Sequence, residues 1–217
     1  MSASRVPIIL MRIVAPVGFI IFVLGVASVA YANFGSTDRS ACGYSQGNSG
    51  PSPATNCVSL ANNRTHAVRY VSLGDQWTGI DAATTWSLAN HYNPTDLVAY
   101  VTTTDSVPDV WVYDAFYGNN GIFAWVDCPA DNSGTGGSGQ LQWCRGQKLR
   151  YNASLEGQYT SGLTARRALA CHELGHTVGL RHNTHSGSAG DSCMRTTLPL
   201  PNHLSSHEIN DHINPWY

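Results

Sequence analysis

Charge is scarce in this chain of 217 residues: Asp, Glu, Lys and Arg make up 12% of it, and the formal net charge is −2. Lysine occurs once, at Lys148. No basic run is present to hold a phosphate backbone, which argues against a nucleic-acid partner. There is no internal repeat, so a solenoid or propeller is excluded. The Gly/Ser-rich stretch 130–140 lacks the G-x-G-x-x-G or P-loop pattern that cradles a nucleotide phosphate, and it reads as a flexible loop. Gly, Ser, Asn and Thr fill the polar surface in place of charge.

Long apolar runs are also few, and the one that stands out is Ile13 to Val29. It follows Arg5 and Arg12 and precedes Ala30-Tyr31-Ala32, an A-x-A cleavage site, so residues 1–32 read as a secretory signal with the mature chain starting at Asn33. The run is nearly long enough to span a bilayer, and an uncleaved N-terminal anchor is the alternative. Either way the remainder is expected outside the cytoplasm. Six cysteines agree with export: Cys42, Cys57, Cys128, Cys144, Cys171 and Cys193. An even count in an exported chain favours disulfides. Nearness in sequence suggests Cys42–Cys57 and Cys128–Cys144.

The most informative stretch is His172-Glu173-Leu174-Gly175-His176-Thr177-Val178-Gly179-Leu180-Arg181-His182, which reads H-E-x-x-H-x-x-G-x-x-H. On a helix, His172 and His176 stand one turn apart and present both imidazoles to one ion. Glu173 lies beside them, where a carboxylate reaches a water without ligating the metal. His182 cannot join from the same helix, since ten residues at about 1.5 Å rise place it roughly 15 Å down the axis. The chain must turn back, and Gly179 is where it can, because glycine enters the left-handed conformation that ends helices. A structural zinc is closed by four protein ligands, whereas three histidines leave a position open for water.

The string resembles the zinc signature of the metzincin endopeptidases. Asp191-Ser192-Cys193-Met194-Arg195 adds a Met a short gap after the third histidine, as in the Met-turn that lies under the zinc in that clan. The short gap looks most like the matrixin, or matrix-metalloprotease-like, branch. Two positions depart from the families of the clan. Asn183 follows the third histidine, and Thr196 stands where astacin-like enzymes carry a Tyr. If the helix and the Met-turn meet beneath the zinc, Cys171 and Cys193 are placed to form a disulfide that fastens the metal helix to its floor.

Residues 33–65, rich in Ser, Gly, Asn and Pro, read as an irregular N-terminal segment, with a short pro-segment as an alternative. Residues 66–217 read as the catalytic domain. Strands are expected at His66–Leu73, Leu97–Thr102, Val110–Tyr113, Gly121–Asp127 and Lys148–Ala153. A helix is expected from Gly79 to His91, its inner face carrying Ile80, Ala83, Trp86 or Ser87, and Ala89 or Asn90, with Pro94 after its stop. The motif helix runs from Thr164 to Val178. Ser205 and Glu208 form a capping box that opens a short last helix through Ile213. The resemblance implies an α+β, zincin-like catalytic domain. It has a twisted mixed β-sheet of about five strands with a backing helix, an active-site helix and a C-terminal helix.

The other histidines, His66, His91, His185, His203, His207 and His212, read as surface or capping residues. His185 and Asp191 are close enough in sequence to support the site. Asn63-Arg64-Thr65 and Asn152-Ala153-Ser154 are glycosylation sequons. The expected function is a secreted zinc-dependent endopeptidase, with His172, His176 and His182 on Zn²⁺, Glu173 as general base and Met194 in the Met-turn. The resemblance also implies a protein or peptide substrate lying extended along an edge strand, here Gly121–Val126, with Arg195–Pro201 as the candidate wall of its pocket. The alternative is a secreted non-catalytic binding protein on the same scaffold. A processing enzyme dedicated to one partner is a narrower version of the first.

Overall fold

The computed structural model describes residues 63–71, 76–127, 133–135, 142–144, 146–159, 162–180, 182, 191–214 and 217. The N-terminal apolar segment, the Cys42–Cys57 and Cys128–Cys144 pairings, Asn183 and His185 lie outside the described residues. The strands are β1 (Thr65–Tyr70), β2 (Val98–Val101), β3 (Val110–Ala115), β4 (Ala124–Asp127), β5 (Ser133–Thr135), β6 (Gln142–Cys144) and β7 (Gln147–Asn152). The α-helices are α1 (Ile80–Ser87) and α2 (Leu163–Thr177).

Five strands form one sheet in the order β2-β1-β3-β7-β4. β2, β1, β3 and β7 are mutually parallel, while β4 runs antiparallel to β7 and closes the sheet as an edge. The architecture is therefore α+β with a mixed sheet. Parallel neighbours need a crossover, and α1 lies in the one joining β1 to β2. In β3 and β7 the sequence alternates with the pleat. Val110, Val112 and Leu149 point to the core, and so do the buried polar groups Asp114 and Gln147. The opposite face carries Trp111, Tyr113, Trp125 and Arg150, all half-buried. There Arg69 sits 5.2 Å from the Trp111 ring, and Arg150 sits 5.5 Å from Tyr113 and 5.7 Å from Trp125. Aromatic rings under guanidinium groups let this face remain partly wet.

α1 packs along α2, and α2 reaches β4 and β7. Its Leu169, Ala170 and Leu174 join Val112, Val126 and Leu149 in the core. Asp114 fixes the start of the α1 segment by accepting from the Trp77 amide at 2.8 Å.

Several expectations need correction. The inner face of α1 carries Ile80, Ala83, Thr84 and Ser87, followed by Leu88 and Tyr92, whereas Ala89 and Asn90 are exposed. After Ser87 the helix widens into a π-helical turn, Leu88–Tyr92, closed by Asn93 N donating to Leu88 O at 2.8 Å. That widening rotates the later residues out of the regular spacing. The Gly/Ser-rich stretch is not all loop, because Ser133–Thr135 pairs antiparallel with Gln142–Cys144. The edge strand begins at Ala124 rather than Gly121, and Gly121 itself takes a left-handed φ of 77°. The first and last core strands begin at Thr65 and Gln147. His66 and His212 are buried, not surface residues. Asn152 is fully buried with its amide engaged, so the second sequon is closed to modification in the folded chain.

Candidate metal centre

From Ala168 to Thr177 every residue of α2 is buried. A helix enclosed on all sides must satisfy its polar side chains internally, and His172, Glu173 and His176 are the ones requiring it. The helix ends as its glycine dictates. Gly179 has φ 96°, its amide donates to His176 O at 3.2 Å, and Leu180 N donates to Gly175 O at 2.9 Å. This pair of bonds is the Schellman arrangement. It reverses the chain within a few residues and returns His182 to the two helical histidines.

The Nε2 atoms of His172 and His176 lie 3.0 Å apart, and those of His172 and His182 3.1 Å apart. The first of these contacts is not an ordinary hydrogen bond. His172 Nδ1 is 2.6 Å from the Cys193 carbonyl oxygen, and His176 Nδ1 is 2.8 Å from that of Leu180. A carbonyl only accepts, so each Nδ1 carries the proton and each Nε2 presents a lone pair. Two lone pairs aimed at each other at 3.0 Å make sense around a cation. The three histidines form a group able to hold a metal ion. Burial keeps them neutral and ready to ligate. It lowers His172 to about 4, helped by nearby His182 and opposed by the bond to Cys193. It also pushes His176 well below, and His182 below, the usual histidine value.

Beneath the group lies the turn bearing Met194. Met194 is fully buried, and its amide donates to Ser192 Oγ at 3.0 Å. Cys171 and Cys193 are joined in a disulfide with Cα atoms 5.9 Å apart. Cys193 thus serves twice: its sulfur ties the turn to α2, and its carbonyl orients His172. Gly175 allows the close approach, since a Cβ there would run into the Met194 sulfur and come within 3.1 Å of the Tyr92 hydroxyl. Tyr92 reaches the same helix by donating to Cys171 O at 2.5 Å.

Sequence reasoning missed three supports of this floor. Glu208 closes the capping box by accepting from Ser205 N at 2.8 Å, and it also accepts from Ser192 Oγ at 2.6 Å. The capping signal located Glu208, but nothing local ties it to Ser192. The carbonyls of Cys193 and Leu180 are backbone groups and leave no sequence signal. His66 and Gln147 hold the end of α2 through Thr177, at 2.9 Å to its Oγ1 and 2.6 Å to its carbonyl. Asp191 does not join the group; it is exposed, with its carboxylate 3.9 Å from His203.

Glu173 is 3% exposed, and burial raises its carboxyl well above the usual carboxylate range. Its Oε2 has no hydrogen-bond partner among the described residues. The Glu173 side chain lines a cavity of about 330 Å³ shared with His172 and His182. One rim is the loop Gly121–Phe123 and Ala124 of the edge strand; the other is Arg195, Thr196, Leu198 and Leu200, with Leu169 and Tyr159 between them. The edge-strand side is shaped by Asn152. Its Nδ2 donates to Gly118 O, Asn120 Oδ1 and Ile122 O, and its Oδ1 accepts from Tyr117 N at 3.1 Å. No protein-family model matches the chain, and no curated protein matches it.

Proposed function

We propose that the protein is a zinc-dependent endopeptidase with a metzincin-type catalytic domain, and that it acts outside the cytoplasm. The observation that carries this reading is the convergence of three neutral imidazoles beside a buried carboxylate at the floor of an open cleft. A nitrogen-only set of three ligands suits zinc and leaves a coordination position for chemistry. When bound, zinc supplies Lewis acidity to the scissile carbonyl and lowers the pKa of the attacking water. Glu173 takes the proton from that water and returns it to the leaving amine.

Edge strand β4 has its outer side unpaired within the described sheet. An extended peptide can add to it through main-chain hydrogen bonds. Phe123, Leu169, Leu198 and Leu200 make the cavity suited to an apolar side chain of that peptide. Arg195, also on the rim, is held by the carbonyls of Thr197 and Pro199 and keeps its positive charge there. A metzincin-type fold is supported by the mixed five-stranded sheet with its one antiparallel edge, and by α1 backing α2. The buried Met194 turn beneath the histidines supports it further. Export is supported by the Cys171–Cys193 disulfide.

Digestion of unfolded casein by the purified chain tests the reading. Cleavage that a chelator abolishes and added zinc restores is expected. Absence of cleavage from a chain with zinc bound would favour the non-catalytic alternative.

A further inference from the structure

Three buried phenols lie close enough to Glu173 to feel its charge: Tyr92, Tyr151 and Tyr159. Two are committed elsewhere. Tyr92 donates to Cys171 O at 2.5 Å, and Tyr151 shares a 2.9 Å hydrogen bond with Thr84 Oγ1. Tyr159 is only 5% exposed, yet its hydroxyl makes no hydrogen bond to another described residue. It is also the one of the three that lines the cavity beside Glu173 and His172. Its ring is held edge-on between Trp77, at 5.6 Å between centroids, and Phe123, at 4.8 Å. Phe123 leads directly into the edge strand, so the same contact that orients the phenol connects it to the rim where peptide would lie.

The Tyr159 hydroxyl is not sealed from water, so it is open to the cavity and free to donate to whatever fills it. Other side-chain donors around the cleft are poorly suited to that role. The Arg195 guanidinium is held by its own loop, and Thr196 is exposed to water. Peptide hydrolysis creates a need for such a donor, because the carbonyl oxygen gains negative charge as water adds. A fixed donor in a water-poor site stabilises that charge far more than bulk water does.

We propose that the Tyr159 hydroxyl is a catalytic hydrogen-bond donor to the carbonyl oxygen of the peptide bond under attack. It donates without giving up its proton, so proton transfer stays with Glu173. The inference rests on the peptidase reading above.

Tyr159→Phe in the full, zinc-loaded chain tests it, because phenylalanine keeps the ring contacts with Trp77 and Phe123. We expect kcat to fall roughly 10²-fold, the magnitude of losing one oxyanion donor, with KM within about twofold of the parent. Zinc content and melting temperature should match the parent. Affinity for a tetrahedral phosphinic peptide should weaken by a comparable factor, while affinity for the cleaved product stays unchanged. Unchanged kcat and phosphinic affinity in the variant, beside an active parent, would overturn the role of Tyr159 and leave the peptidase reading standing. A loss of melting temperature with KM and kcat both altered would make Tyr159 structural. A zinc-loaded parent with no activity, equal to Glu173→Gln, would overturn both.

Discussion

At the scale of single residues, the site depends as much on what Gly175 lacks as on what the histidines carry. The space above its Cα is filled by the Met194 side chain and the Tyr92 hydroxyl, the latter 3.1 Å from where a Cβ would stand. Helix propensity would favour alanine at this position, and packing forbids it. Gly175→Ala is expected to destabilise the fold by about 1–3 kcal/mol through overpacking, despite the propensity gain. Because Met194 must yield, zinc should also bind less tightly. Urea unfolding and a zinc-competition titration check this; a variant more stable than the parent would show that Met194 has room to move. The motif alone disclosed His172, Glu173, His176 and His182, since helix geometry dictates their spacing. It could not disclose Tyr159 or Ser192, whose roles arise from contacts distant in sequence.

At the scale of elements, the site is an assembly of three pieces: α2, the chain reversal at Gly179 and the Met194 turn. The reversal was legible because only one glycine lies where the helix must stop. The Cys171–Cys193 bridge was expected from the positions of the two cysteines beside the first histidine and the methionine, and the structure contains it. Replacing both with serine removes a loop closure of 22 residues and is expected to cost about 3 kcal/mol. That corresponds to roughly 6–12 °C in melting temperature for a domain of this size. The Cys193 carbonyl should then wander, so His172 loses its orientation and zinc its affinity, while saturating zinc restores turnover. A melting temperature equal to the parent's would mean that packing around Met194 holds the floor unaided. The π-helical turn at Leu88–Tyr92 and the β5–β6 pair were not legible. The first breaks the regular helical spacing, and the second has strands of only three residues, too short for alternation to show.

At the scale of the molecule, burial of histidines makes stability depend on pH. His66, hydrogen-bonded to Thr177 at the C-terminal end of α2, is lowered to about 4 by burial alone. An unfolded chain binds that proton below about pH 6.5, whereas the folded chain does not until near 4. In that window the unfolded state holds more protons, so folding stability present above pH 6.5 is lost progressively toward pH 4. His172 adds to the same slope in the metal-free chain. Glu173, raised by burial, acts in the opposite direction over the same range, so the share of His66 is read by difference. Between pH 7 and 4 the unfolding midpoint of the metal-free parent should fall more steeply than that of His66→Gln, and parallel profiles would contradict neutral burial of His66. The existence of the five strands of the main sheet, and their order along the chain, were legible from alternation. The sheet order β2-β1-β3-β7-β4 was not, because long-range pairing leaves no local trace.

The central claim is that the three histidines hold zinc while Glu173 performs the proton transfer. Zinc content and peptide turnover measured together on the parent, Glu173→Ala and His182→Ala test it most directly. Glu173→Ala should retain one zinc per chain and lose about 10²–10⁴ in rate, the contribution of a general base. His182→Ala should lose zinc affinity and activity together. Parental turnover in Glu173→Ala with its zinc confirmed, or equal zinc affinity in the two variants, would contradict the account.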